Sequence, residues 1–219
     1  MQAWLTELES AESVAAALYD QLYPRIEGAC IETLVQLAAG GRLLELGVGT
    51  GRCAGPLSQR GVAVVGIDDS AARLARAVRR WPGLALIRAD LAHLPFRSCF
   101  RVAVSLVDTL SLMPSLEALR QALAGIAESL ESGGVFVDES WREAAVPLQP
   151  RWVSQVIPIG DPQNGSALPH YALSYWEIRQ AHFDALCADA GLQLRERFCT
   201  WRLQPIAIQR LPTISIYSR

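Results

Sequence analysis

The chain reads as a doubly wound α/β fold, a mostly parallel sheet with helices on both faces. Three observations predict it. From Leu43 onward, short continuous apolar runs alternate with helical segments, and strands covered on both faces need not alternate polar with apolar residues. The first run, Leu43-Leu44-Glu45-Leu46, ends in Gly47-Val48-Gly49-Thr50-Gly51, where glycines let backbone approach a ligand at the carboxyl edge of the sheet. The second run, Val62 to Ile67, closes on Asp68-Asp69, and a carboxylate there can accept both hydroxyls of a ribose.

The elements follow in order. Residues 10–39 read as helical, with Val14, Leu18, Leu22 and then Ile26, Cys30, Ile31, Leu34, Val35 and Leu37 at helical spacing, an interruption at Pro24 and a stop at Gly40-Gly41. Strand Leu43 to Leu46 leads into a helix through Leu57, and strand Val62 to Ile67 into a helix over Ala71 to Arg80. A third strand spans Leu84 to Ile87, a fourth Val102 to Val107, then a helix runs from Leu116 to Leu130 and a fifth strand from Val135 to Val137. Gly133-Gly134 supplies the reversal before that fifth strand. Beyond Glu139 the pattern changes: Pro147, Pro150, Pro158, Pro162 and Pro169 punctuate a turn-rich stretch around a candidate strand at Trp152 to Ile159. A helix is predicted from about Tyr175 to Ala190, ended by Gly191, followed by strands near Leu194 to Leu203 and Thr213 to Tyr217.

With 219 residues and 51% hydrophobic content, the chain suffices for one well-buried domain. Twenty Lys and Arg against 22 Asp and Glu leave a net charge of −2, so no basic field exists to hold a phosphate backbone and a nucleic-acid partner is not expected. The five cysteines, Cys30, Cys53, Cys99, Cys187 and Cys199, form no C-x-x-C pair, which reads as free thiols in a reducing compartment rather than disulfides or a metal site. Glu7, Glu9 and Glu12 break the order of a signal peptide, and no apolar run approaches the roughly 18 residues of a membrane span. A cytoplasmic location without a membrane partner is the expectation.

Glu45 to Gly51, an acidic residue and then G-x-G-x-G after a strand, resembles the first motif of the class I S-adenosylmethionine-dependent methyltransferases. Arg52 stands where the dinucleotide fingerprint G-x-G-x-x-G has its third glycine, which favours a cofactor without a pyrophosphate. Asp68 follows Gly51 by 17 residues, close to the spacing of roughly 20 at which an acidic residue meets a ribose. Leu84 to Leu91, followed by Leu94-Pro95-Phe96, is similar to the family's third-strand motif, and the matched segments run from Leu43 to about Glu139.

What the resemblance implies is a seven-stranded sheet of order 3-2-1-4-5-7-6 with an antiparallel last strand, S-adenosylmethionine as cofactor and S-adenosylhomocysteine as its product. It sets Gly47, Gly49 and Gly51 against the methionine part, Glu45 at its amino end, Asp68 (in second place Asp69) at the ribose, and Asp90 with Leu91 at the adenine. The backbone at Leu106 is implied as a further holder of the amino group. Tyr19, in Leu18-Tyr19-Asp20, looks like the Y-D segment that many small-molecule methyltransferases place over the cofactor as a lid. The partner implied is a small-molecule methyl acceptor, and the protein is expected as a monomer or homodimer.

Each residue also has a plainer reading. Asp68 can cap the next helix, Asp90 can be a solvated turn carboxylate, and Tyr19 can be packing with its hydroxyl at the rim. Asp108 ends the fourth strand, where it can orient an acceptor or take its proton, or cap the next segment. His170 and Tyr171 are candidates for the acceptor side, against an ordinary loop histidine and its neighbour. Trp141, Trp152 and Trp176 suit walls of an acceptor pocket or simple packing. Asp138 and Glu139 are expected on the same rim. The expected organisation is a single domain: 1–41 as N-terminal helices and lid, 42–140 as cofactor core, 141–173 as an insertion over the active site, and 174–219 as last helix and terminal strand pair. Two alternatives share these motifs: another nucleoside-cofactor enzyme, such as an aminopropyl transferase or a reductase, and a non-catalytic S-adenosylmethionine-binding protein.

Overall fold

A computed structural model describes residues 16, 17, 20, 26–142, 148–158, 170–204 and 212–219, with the side chains of 156–158, 170 and 171 excepted. In chain order the elements are α1 (Gly28–Ala38), β1 (Arg42–Leu46), α2 (Ala54–Gln59), β2 (Ala63–Asp68), α3 (Ala71–Arg80), β3 (Ala85–Arg88) and β4 (Phe100–Ser105). Then come α4 (Leu116–Ser129), β5 (Leu130–Ser140), β6 (Arg151–Pro158), β7 (His170–Glu177), α5 (Gln180–Asp189), β8 (Gln193–Phe198) and β9 (Thr213–Ser218). Short 3-10 turns follow β3, at Leu91–His93, and β4, at Thr109–Leu112.

Seven strands form one sheet of order β3-β2-β1-β4-β5-β9-β8, and β6-β7 form a separate antiparallel pair. Counted without that pair, this is the expected 3-2-1-4-5-7-6. The pairs among β1 to β5 are parallel, and β9 runs antiparallel to both β5 and β8. Helices α2, α3 and α4 carry the chain from β1 to β2, from β2 to β3 and from β4 to β5, because parallel neighbours cannot be joined by tight turns.

The apolar runs serve two cores. Leu43, Val64, Val102, Val104, Val135 and Val137 pack on one face against Cys30 and Leu34 of α1, Leu57 of α2 and Leu74 of α3. Leu44, Leu46, Ile67, Ala103 and Phe136 pack on the other against α4 and α5. Helix α4 shows why: Leu119, Ala122, Leu123 and Ile126 recur at helical spacing and are all fully buried, each large one contributing about 1.5–3 kcal/mol of apolar burial. Ser115 starts it by accepting the Ala118 amide at 3.0 Å, satisfying one of the unpaired first-turn donors.

Several boundaries differ from expectation. Tyr175 and Trp176 belong to β7 rather than to a helix, because they pair with Val153 and Trp152 across the hairpin, and aromatic side chains suit a pleated surface better than a helix start. Helix α5 therefore begins at Gln180. The inserted segment is a hairpin that extends to Glu177, past the expected boundary at 173. Gly133-Gly134 do not precede β5 but lie within it, where Phe100 pairs with Leu130 and Val102 with Val135, so residues 131–134 loop out as a bulge. Strand β8 ends at Phe198 instead of Leu203. Of the helical segment expected over 10–39, α1 accounts for Gly28–Ala38, and most of the rest lies outside the described residues. None of the five cysteines is in a disulfide.

Helix α2 packs against Trp81, at the end of α3, only because Gly55 has no side chain: a Cβ there would overlap the indole ring. Gly55→Ala is expected to lower stability in urea by about 1–3 kcal/mol, the cost of overpacking. Adding Trp81→Ala should recover part of that loss through their coupling. An unchanged midpoint in Gly55→Ala would contradict this packing.

Candidate active site

Parallel strands carry all their carboxyl ends to one edge, and four buried acidic side chains collect there: Glu45 on β1, Asp68 on β2, Asp138 and Glu139 on β5. Each is handled differently. Glu45 is 4% exposed, its Oε2 has no hydrogen-bond partner among the described residues, and burial raises its pKa to about 8 despite the Ala54 amide. Asp68 is 3% exposed. Its Oδ2 accepts the Gly49 amide at 2.8 Å and its Oδ1 the Ser70 amide at 3.0 Å. Burial pushes its carboxyl up, and these two amides pull the other way. Helix α3 is capped by Ser70, not Asp68: Ser70 Oγ accepts the Arg73 amide.

Gly49 sits at φ +55° with open space where a Cβ would point, the nearest atom being the Gly47 carbonyl oxygen at 4.0 Å. The left-handed backbone excludes most side chains, and the amide it frees is the one that Asp68 receives. A cleft of about 110 Å³ opens beside this loop. It brings together five sequence-predicted residues, Gly47, Asp68, Asp69, Asp90 and Leu91. It is closed by Arg73 and by Thr109, Leu112 and Met113 from the turn after β4, residues that carried no motif signal. Asp90 caps the first 3-10 turn through the Ala92 amide at 2.9 Å, and its Oδ2 lies 3.3 Å from Nδ1 of His93. Asp69 is exposed, with its carbonyl accepting from Arg88 Nε at 2.9 Å.

Asp20, beside the expected lid residue, is fastened to the same loop. Thr50 Oγ1 donates to its Oδ1 at 2.5 Å, and Arg76 donates to its Oδ2 from Nε at 3.2 Å and from Nη2 at 3.1 Å. The helical segment of Asp20 is thereby tied across the glycine loop to α3. Tyr19 itself lies outside the described residues. The Y-D pattern pointed at this position through its tyrosine, and the aspartate is the residue whose contacts appear.

On the β4 side, the Leu106 carbonyl accepts from Thr109 Oγ1 at 2.7 Å. Asp108 adopts the left-handed conformation at φ 58° and accepts from Ser111 Oγ at 2.6 Å. Asp138 and Glu139 do not face the rim as expected. Asp138 is fully buried and paired with Arg142, while Glu139 accepts the Val107 amide at 3.0 Å and the Trp201 indole at 2.7 Å. Burial raises both carboxyls, with those partners opposing it. Both stand at the carboxyl end of β5, but their oxygens are taken up by these buried partners.

The hairpin stands against this turn. Trp176 Nε1 donates to the Met113 carbonyl at 3.0 Å, and Trp152 meets Trp176 edge to face at 5.2 Å between ring centres. Trp141 is 41% exposed. His170 and Tyr171 pair with Pro158 and Ile157 at the far end of the hairpin, five to six residues and about 16–20 Å of strand from Trp176. Their side chains are outside the described set. Among the described residues no group of His, Cys, Asp and Glu could hold a metal ion, and no helix is long and apolar enough to cross a membrane.

Comparison with known proteins agrees with this geometry. Residues 43–134 match the methyltransferase domain family. The chain is 35% identical over 91 residues to a demethylmenaquinone methyltransferase of Beutenbergia cavernae, covering 42% of this chain and 35% of that protein. It is 30% identical over 99 residues to the dTDP-3-amino-3,4,6-trideoxy-alpha-D-glucopyranose N,N-dimethyltransferase of Streptomyces venezuelae, covering 45% and 42%. The match therefore spans about two fifths or less of either curated relative. Among solved structures, the CcbJ methyltransferase of Streptomyces caelestis superposes with a TM-score of 0.73 at 22% identity, over 86% of this chain and 93% of that one, a likeness of fold.

Two outcomes follow from this site. A buried carboxyl whose folded pKa is raised from 4.5 to about 8 holds its proton more tightly folded than unfolded, so its share of stability is present at low pH and is lost as pH rises through that window. Glu45→Gln should match wild type in urea near pH 5 and exceed it near pH 8.5, and a constant difference across pH would contradict this. Asp20→Asn should weaken binding of S-adenosylhomocysteine by about three- to tenfold, the worth of a partly exposed hydrogen-bonded pair, as read by calorimetry. Unchanged affinity would separate the clamp from the cleft.

Proposed function

We propose that this chain, a member through its residues 43–134 of the class I S-adenosylmethionine-dependent methyltransferases, transfers a methyl group to nitrogen or oxygen of a small molecule. The observation that carries the reading is the convergence of Gly47, Asp68 and Asp90 on one cleft beside the open backbone of Gly49. The Oε2 of Glu45 is the test of fit: a buried carboxylate oxygen without a donor among the described residues suits a ligand that brings an ammonium, whose charge would restore ionisation at Glu45.

When bound, S-adenosylmethionine supplies a methyl group on sulfonium, already an activated leaving group. The chain then has to align and to exclude water more than to activate. Gly49 and its neighbours receive the methionine part, and Asp68 keeps a free lone pair on each carboxylate oxygen for the ribose hydroxyls while its other lone pairs hold the loop. Asp90 and Leu91 line the adenine end. The turn after β4 lies between this pocket and the hairpin, and Trp152 and Trp176 form an apolar wall for the acceptor. The names of the two curated relatives, one for demethylmenaquinone and one for an amino-sugar nucleotide, support a small acceptor in this role.

Incubation with S-adenosylmethionine labelled in the methyl group and a panel of amino-sugar nucleotides, amines, phenols and quinols is expected to give a labelled acceptor and an equal amount of S-adenosylhomocysteine. Binding without turnover across the panel would favour a non-catalytic binding protein, and dinucleotide-dependent reduction would favour a reductase. Trp152→Ala should raise the acceptor KM or lower turnover while leaving cofactor affinity nearly unchanged. A variant that lost cofactor affinity instead would make the hairpin a cofactor lid.

A further inference from the structure

Arg142 is the first cation after β5, and its side chain is only 2% exposed. Placing a guanidinium in the core costs several kcal/mol unless it is paired. Its Nη1 donates to the fully buried Asp138, its Nη2 stands 3.5 Å from Oδ1 of Asp108, and its carbon lies 3.5 Å above the centre of the Phe183 ring. Both carboxylates keep the guanidinium protonated against its desolvation.

The geometry is asymmetric. Asp138 is 0% exposed, whereas Asp108 is 26% exposed. On Asp108, Oδ1 accepts Ser111 Oγ and faces Arg142, so Oδ2 is the oxygen without a partner among the described residues. One buried cation thus serves two carboxylates, and the excess negative charge sits on the one that reaches the surface, on the turn whose Thr109 lines the cleft.

We propose that Arg142 is a positioning residue that orients Asp108 at the acceptor edge, where Asp108 Oδ2 receives the N–H of an amine acceptor. The inference rests on the methyltransferase reading and narrows it to nitrogen. As the neutral nitrogen's lone pair forms its bond to the methyl carbon, the carbon–sulfur pair returns to sulfur and the nitrogen becomes cationic. Its proton then leaves to solvent. Excess negative charge at the edge favours that developing cation, while it opposes the anion that a phenol or carboxyl acceptor must become. The titratable groups facing Arg142 and its two carboxylates are Tyr217 from β9 and Cys187 and Asp184 from α5.

The test is calorimetric titration, into protein saturated with S-adenosylhomocysteine, of a dTDP-3-amino sugar and simple aryl- and alkylamines against their hydroxyl counterparts. Amines should bind at least tenfold more tightly than the hydroxyl counterparts in wild type. Asp108→Asn, which leaves the Arg142–Asp138 pair in place, should abolish the preference. Arg142→Met should reduce it, and Arg142→Lys should restore part of it. S-adenosylhomocysteine affinity should hold in every variant and reports folding. Equal affinity, binding of neither set, or a preference that survives Asp108→Asn would overturn the inference. Failure of wild type to bind S-adenosylhomocysteine would instead overturn the methyltransferase reading itself.

Discussion

A single buried carboxylate, Asp68, joins the loop after β1 to the end of β2. By accepting one amide from Gly49 and one from Ser70, it sets the path of the glycine loop and the start of α3 together, in the place where the cleft opens. An ionised carboxylate so enclosed survives because charge-assisted bonds to backbone amides offset part of its desolvation. Arrangements further out inherit this constraint. Thr50, on the pinned loop, and Arg76 and Arg80, on the positioned helix, hold Asp20.

The carboxyl edge of the sheet solves the same electrostatic problem four times. Asp68 uses amides, Glu139 an amide and an indole, and Asp138 a guanidinium. Two oxygens lack a donor among the described residues, Glu45 Oε2 and Asp138 Oδ1, but Asp138 holds the Arg142 guanidinium on its other oxygen, whereas the pKa of the Glu45 carboxyl is pushed up to about 8. The difference separates carboxylates completed by the protein from one that a bound cation can complete. The same distinction recurs at Asp108, whose inner oxygen is held by Ser111 and faced by Arg142 while its outer one has no partner among the described residues.

Much of this was legible in the sequence because it depends on local patterning. Strands covered on both faces show themselves as continuous apolar runs, and glycines spaced along a strand-to-helix turn announce a close backbone approach. Asp68 was legible through its spacing from the glycine loop, and Asp90 only through the resemblance of its segment to the family's third-strand motif. Arg142 was not: a basic residue after a strand looks like solvated surface until the fold brings Asp108, Asp138 and Phe183 around it. Asp20 was hidden for the same reason, since its partners Thr50 and Arg76 are distant in the chain. Tyr175 and Trp176 were placed in a helix because their cross-strand partners, Val153 and Trp152, lay beyond the reach of periodicity. The lining from Thr109, Leu112 and Met113 comes from an irregular turn that leaves no periodic trace.

The central claim is that the open backbone at Gly49, pinned by Asp68 and flanked by Glu45, is where S-adenosylmethionine sits. Calorimetric titration of S-adenosylmethionine and S-adenosylhomocysteine into wild type and Gly49→Val tests it most directly, with far-UV circular dichroism confirming that the variant keeps its secondary structure. The account predicts one site for both ligands in wild type and loss of both in the folded variant, because a branched side chain would fill the space that Gly49 leaves open. Equal affinity in the two proteins would contradict it.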